Sequence, residues 1–351
     1  MMTVSQATLR RANRWKTVGL LALLLSCFLV MVLVENLLVS SILAFVIAYV
    51  LGPLVNYLER QGIGRTMATT FVFVTVGVVL GLLCLWLFPY LGETTERLQR
   101  DMPHFITGVG QFISEMEIHL HSISGPLANF DLESKVESYL TAWTQGVFEQ
   151  LPGYVKTFFT VFLLAPFLAF FMVKDGRSAL SSILGLVPNH LFETALSLIN
   201  QINFQIGQFV RARLLESAIV GVVTGAGLLL ISFPYAILLG LFAGIMNLIP
   251  YIGPIFGAAP AFAIALVNTH SSLDMVLVAS VYVVAQLLDA GLLIPMMVAK
   301  IVDLHPVTVI VVIIAGAQVL GILGMIISIP VAGTVKVTVN TIYRHLIDTR
   351  T

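Results

Sequence analysis

Long apolar runs separated by short polar breaks set the pattern of this chain. One runs from Thr17 to Val34 directly behind Arg10, Arg11, Arg14 and Lys16, a second from Ser40 to Leu58, and a third from Met67 to Tyr90. Each is close to the roughly 20 residues that an α-helix needs to cross hydrocarbon, so each is predicted to span a membrane. Glu35 and Asn36 break the first run from the second, and Gln61-Gly62-Ile63-Gly64-Arg65 turns the second into the third. No small-residue cleavage pattern follows the first run. Leu24-Leu25-Ser26-Cys27 is a poor lipoprotein box inside a continuing apolar run, so an uncleaved helix is expected rather than a signal peptide.

From Leu91 to Leu151 the pattern changes to helical amphipathicity. Leu98, Met102, Phe105, Ile106, Val109, Phe112, Ile113 and Met116 recur at helical spacing, as do Leu132, Val136, Tyr139, Leu140, Trp143 and Val147, with Ser124-Gly125-Pro126 as the break between them. These segments read as a helical pair outside the membrane. Tyr154 to Val173 is a fourth span, closed by the charged stop Lys174-Asp175-Gly176-Arg177. A second amphipathic stretch, marked by Leu191, Leu198, Ile202 and Phe209, continues without a break into a fifth span, Leu214 to Ser232. Gly221 and Gly225 in that span form a small-xxx-small pattern that lets helix backbones approach.

The run Ala236 to Ala261 could cross a bilayer by length, but Asn247, Pro250, Gly253, Pro254 and Pro260 interrupt it. Proline removes amide donors, and unpaired backbone in hydrocarbon costs several kcal/mol per group, so such a segment must be buried in protein or line a wet cavity. It is predicted to be a re-entrant hairpin. Met275 to Val298 reads as a sixth full span containing Gln286, Asp289 and Pro295. The last apolar region, Val307 to Val339, is punctuated by Gly316, Gln318, Gly321, Gly324, Pro330 and Gly333, which predicts a second hairpin whose returning arm is the C-terminal helix.

Composition agrees with this pattern. Of 351 residues, 58% are hydrophobic and only 10% charged, against about 45–50% and about 25% in ordinary soluble domains. Net charge is zero, which points to no nucleic-acid partner. Cys27 and Cys84 both fall in apolar runs and form no disulfide or metal framework. With a cytoplasmic N-terminus, 14 of the 18 basic residues fall on the cytoplasmic side, while Arg97, Arg100, Lys135 and Lys156 share the opposite side with the acids between Glu93 and Glu149. The positive-inside rule therefore places both termini inside and the insert outside. The two hairpins then enter from opposite faces, as in an inverted repeat. Ala243-Gly244 with Asn247 corresponds loosely to Ala315-Gly316 with Gln318, and such paired interruptions point to a transport site near the bilayer midplane.

Ionisable groups within spans carry function by default. Asp289 is the leading candidate, with Gln286 one turn earlier; a proton, a sodium ion or a hydroxylated solute would suit them. Its structural alternative is a hydrogen bond to hairpin backbone. Glu216 follows Arg211 and Arg213 closely enough for a local ion pair at the interface, with ion coupling as its functional alternative. Asn247 and Gln318 offer donors and acceptors at the hairpin tips. Metal sites are not expected; His119 and His121 point to different helix faces. An enzyme is not expected either. HExxH, GxSxG, GxGD and phosphate-cradling glycine loops are all missing from the sequence, and no nucleotide motor is encoded, so transport would be secondary or passive.

Ile249-Pro250-Tyr251-Ile252-Gly253-Pro254 with Ala259-Pro260-Ala261, His305-Pro306, and Gly321-Ile322-Leu323-Gly324-Met325 with Ile329-Pro330-Val331-Ala332 resemble the autoinducer-2 exporter family, which includes PerM-like permeases. Lys174-Asp175-Gly176 and Pro188 are weaker marks of it. The resemblance implies a bacterial inner-membrane exporter of a small molecule such as autoinducer-2; some relatives resemble sodium(lithium)/proton antiporters, which leaves coupling to protons or sodium as an open option. It also implies a homo-oligomer and no cofactor. A passive channel and a non-transporting envelope scaffold are the competing readings. The fold expected is an all-α polytopic membrane protein of about six full transmembrane helices plus two re-entrant hairpins, with amphipathic external and cytoplasmic helices. Its parts are residues 1–90 (three helices), 91–151 (external insert), 152–213 (fourth helix and cytoplasmic amphipathic helix) and 214–351 (transport core). The pathway is expected at Asn247, Pro250, Gly253, Pro254, Gln286, Asp289, Gln318, Gly321 and Gly324, with Glu216 and Asp289 as coupling residues.

Overall fold

The computed structural model describes residues 26, 29–31, 33–34, 36–121, 132–185, 187, 192–268, 272–298 and 304–348. Helices follow one another along them: α1 (Leu37–Arg60), α2 (Arg65–His121), α3 (Leu132–Leu184), α4 (Phe192–Leu230), α5 (Ala236–Asn247), α6 (Ile252–Asn268), α7 (Ser272–Leu288), a π-helix (Asp289–Val298) and α8 (Pro306–Asp348). Six segments among the described residues are long and apolar enough to span: Leu37–Arg60, Arg65–Ile118, Val155–Leu184, Phe192–Leu230, Leu273–Met296 and Pro306–Thr341. The expected all-α polytopic architecture is the observed one. The predicted first span and Glu35 lie largely or wholly outside the described residues, as do the Ser124-Gly125-Pro126 break and Pro188.

Several predicted breaks in composition are not breaks in backbone. α2 passes from the third span through Leu91 into the amphipathic insert as one 57-residue helix. α3 runs through Leu151 into the fourth span and beyond the charged stop to Leu184. A charge cluster ends a stretch of hydrocarbon, but Lys and Arg are good helix formers and do not end a helix. The run of α4 from the amphipathic stretch into the fifth span is continuous, as expected.

The chain divides into two compact units. The unit of residues 1–78, 155–210 and 330–351 packs Leu51, Val55, Ala68, Val72 and Val173 together. Arg65 staples its α1–α2 turn: it meets Glu59 at 3.1 Å and donates to the Val173 and Lys174 carbonyls, while Arg177 meets the same Glu59 at 2.9 Å. Tyr49 Oη donates to Asn203 Oδ1 at 2.7 Å.

The unit of residues 79–154 and 211–329 is built on Phe105, Leu228, Phe233, Ala236, Leu239, Ala261, Ile264, Ala265 and Val278. Its α5 and α6 fold back on each other through the turn 248–251, closed by Tyr251 at φ 64°. Pro254 sits in the first turn of α6, where its missing N–H costs little. The last apolar region, predicted to hold the second hairpin, is one helix with an internal break. α8 breaks at Leu320 (φ −134°, ψ 16°) and Gly321 (φ 60°, ψ −139°). Its arms meet so closely that a Cβ on Gly324 would lie 1.9 Å from the Gly316 carbonyl oxygen.

Candidate functional site

α4 carries Arg213, Glu216, Val220 and Thr224 at intervals of three and four residues, along one stripe of the helix. All four are buried, Glu216 at 0% exposure. Arg213 Nη1 donates to Glu216 Oε1 at 2.5 Å, so the local ion pair expected from the sequence forms, though in the protein interior. Arg213 Nε also donates to the Leu248 carbonyl at 3.3 Å, just beyond the end of α5, where the helix has run out of its own donors. Asp289 begins the π-helix, is 3% exposed, and brings its carboxyl within hydrogen-bonding reach of Glu216.

Glu216 Oε2, Asp289 Oδ1, Asn247 Nδ2, Ser217 Oγ and Thr224 Oγ1 are buried without a hydrogen-bond partner among the described residues. A buried polar group left unpaired costs about 1–3 kcal/mol, and more when charged. All five lie in the unit of residues 79–154 and 211–329, and buried groups of this kind can be satisfied by a ligand or a proton.

Small residues hold the elements of this site together. Ser217, Gly221 and Gly225 line the face of α4 that meets α5. A Cβ on Gly240 would lie 2.5 Å from the Cα of Gly225, and one on Gly244 would lie 2.9 Å from the Ser217 carbonyl oxygen. Beside this contact lies an open apolar groove of about 560 Å³, bordered by Leu214, Gly221, Val222, Leu241, Ile245 and Leu248. The hairpin turn itself is as tight: a Cβ on Gly253 would fall 2.1 Å from the Met246 carbonyl oxygen.

Among the residues singled out from sequence, Glu216 and Asp289 meet. Asn247 is 1% exposed and adjoins the Leu248 carbonyl that Arg213 holds. Pro250, Gly253 and Pro254 shape the turn beyond it. Gln286 is exposed although Asp289 three residues later is buried, so the two do not face one cavity. Gln318 is likewise exposed, two residues before the α8 break, whereas Gly324 is buried against Gly316. Arg213 was legible from sequence, with Arg211, as an ion-pair partner for Glu216, but nothing in the sequence pointed to Leu248.

On α2 beyond its apolar run, Asp101 accepts a hydrogen bond from Tyr235, whose ring meets Phe105 edge-on at 6.4 Å. Burial, then the hydrogen bond and charge of Asp101, push the Tyr235 hydroxyl up to about 12. No group of three or more His, Cys, Asp or Glu that could hold a metal occurs among the described residues.

Residues 20–344 match the sequence model of a family described as AI-2E family transporter. The chain is similar to a Bacillus subtilis (strain 168) protein named "Putative transport protein YrrI", at 27% identity over 87% of this chain and 86% of that one. It is similar to "Putative permease PerM" of Escherichia coli (strain K12), at 27% identity over 94% of each chain. A Mycobacterium tuberculosis (strain CDC 1551 / Oshkosh) protein, "Putative transport protein MT0215", is 24% identical over 90% of this chain and 86% of that one.

Proposed function

The chain belongs to the AI-2E transporter family, and from that premise we propose that it is a secondary transporter of the bacterial inner membrane, exporting a small polar molecule of the autoinducer-2 kind in exchange with protons or sodium. The observation that carries this reading is the buried set of Arg213, Glu216, Asn247 and Asp289, in which two carboxyls meet and oxygens of both lack a partner among the described residues. A passive pore has no use for costly ionisable groups away from water, whereas a coupled carrier needs a group whose occupancy changes during the cycle. Helix ends interrupted at the α5–α6 turn and at Gly321 supply orphan backbone dipoles of the kind that line solute and ion sites. In this reading both fold-backs are re-entrant, and they rock around the site.

Purified protein in liposomes should move solute uphill when a proton or sodium gradient is imposed, and Asp289→Asn should uncouple flux from the gradient. Coupled transport that persists unchanged in Asp289→Asn removes Asp289 from the mechanism. Gradient-independent conductance by the wild type makes the protein a channel. No flux under any gradient, with an envelope phenotype that depends on residues 91–151, makes it a scaffold.

A further inference from the structure

We propose that Glu216 and Asp289 bind a single proton between them, and that Arg213 links its presence to the turn of the first hairpin. This rests on the coupled-transport reading and names its ion. Ionised carboxylates only accept hydrogen bonds, so two of them in reach of each other can make no bond. Glu216 Oε2 and Asp289 Oδ1 are indeed without partners among the described residues, at 0% and 3% exposure of their residues. Two like charges held in reach of each other away from water repel strongly. One proton removes that repulsion and turns one carboxyl into a donor toward the other. It also balances the site, since Arg213 supplies one positive charge against the one negative charge that remains.

Sodium fits the same place poorly. A hard metal cation needs a shell of several oxygens, and here Glu216 Oε1 is already taken by a guanidinium that would repel it. The charged groups acting on Glu216 are Arg213, from its own helix, and Asp289, from the π-helix; the α5 tip adjoining the site contributes only the neutral Asn247. Arg213 divides its donors between the Glu216 carboxylate and the Leu248 carbonyl. When the proton leaves, the doubled negative charge draws the guanidinium toward the carboxyls. When it returns, the hold on Leu248 is favoured. Proton occupancy is thereby read by the backbone of the turn 248–251.

Infrared difference spectroscopy of the purified protein, with no solute and no flux, tests this directly. In choline buffer the wild type should show one carboxylic-acid carbonyl band that disappears on alkaline titration, and the same midpoint should hold in sodium buffer. Asp289→Asn should lose the band, because the carboxyl that shares the proton is gone. With Cys27 and Cys84 replaced by Ser, a bimane label on Tyr251→Cys should change its emission at the same midpoint, and should not when Asp289→Asn is added. A midpoint that moves with sodium, a band absent from the wild type at every pH, or a band retained in Asp289→Asn overturns the shared proton. Emission that ignores the midpoint overturns the link to the turn. Should the band behave as expected while liposomes show no coupled flux, the transport reading fails and the proton site stands. Coupled flux without the band removes the proton site and leaves the transport reading standing.

Discussion

Single side chains in this protein are placed by the cost of burying charge. Arg213 and Glu216 sit one turn apart on a helix that would otherwise read as an ordinary apolar span, and each is tolerable only because of the other. Asp289 was legible from sequence as an acid inside a span, because few other residues interrupt that run. Its partner was not, because pairing between positions 216 and 289 leaves no local pattern. The exposure of Gln286 shows the limit of reasoning from spacing alone: residues three apart share a helix side only approximately, and the winding changes at Asp289. Outside the spans, Tyr235 offers a test by pH. Its hydroxyl is raised from 10.0 to about 12 in the folded protein, chiefly by burial and then by Asp101. The fold therefore favours the protonated phenol, and that contribution is complete below pH 10.0 and is lost as pH climbs through about 12. After discounting for the partly exposed ring it is on the order of 0.5–1 kcal/mol. Thermal melts in detergent should find the wild type more stable than Tyr235→Phe below that window and the gap closing across it. A gap that stays constant would detach the phenol from the effect.

Elements are shaped by where the helical hydrogen-bond ladder can be interrupted. The prolines and glycines of residues 248–254 announced the first fold-back in the sequence, and the backbone turns there. The second was legible as a region too long and too punctuated for one helix, yet not to the residue, because several punctuating positions competed. Gly321 is the one at which the backbone takes φ 60° and ψ −139°, a conformation open almost only to glycine. The π-helix had no signature at all beyond Pro295, which removes one donor from the ladder. These distinctions separate two glycines by mechanism. At Gly321 a Cβ would meet nothing within 4 Å, so Gly321→Ala should cost about 1–3 kcal/mol through backbone strain alone. Gly324→Ala should destabilise through overlap with the Gly316 carbonyl, forcing the two arms apart. Gly52→Ala in α1, with helical backbone and open space, should be neutral or gain up to about 1 kcal/mol. Unfolding of the purified variants measures all three. Equal effects of Gly321→Ala and Gly52→Ala would show that the break at Gly321 is not held by its φ.

At the scale of the whole molecule, the open matter is which face of the membrane each end of the helices meets. Hydropathy alone is symmetric in this respect; only the distribution of Lys and Arg breaks the symmetry. Arg65 and Arg177 both meet Glu59, and Lys174 meets Asp175 beside them, so part of the charge asymmetry coincides with a built structure rather than with a loose tail. The amphipathic portions of α2 and α3 are acid-rich. If positive charge sets orientation here, those portions are external and the Glu59 cluster is cytoplasmic. On a background with Cys27 and Cys84 replaced by Ser, Ser138→Cys, exposed on α3, should react with a membrane-impermeant maleimide in spheroplasts. Ser181→Cys, exposed near the other end of the same helix, should react only after permeabilisation. Both positions lie on one continuous helix, so their opposite accessibility would also establish that α3 crosses the bilayer, and it would fix the first fold-back as entering from outside. The reverse pattern would invert the direction assigned to both hairpins, and with it the direction of export. Equal labelling of both positions without permeabilisation would mean that α3 does not cross at all, which no reading of the first hairpin as re-entrant from outside survives.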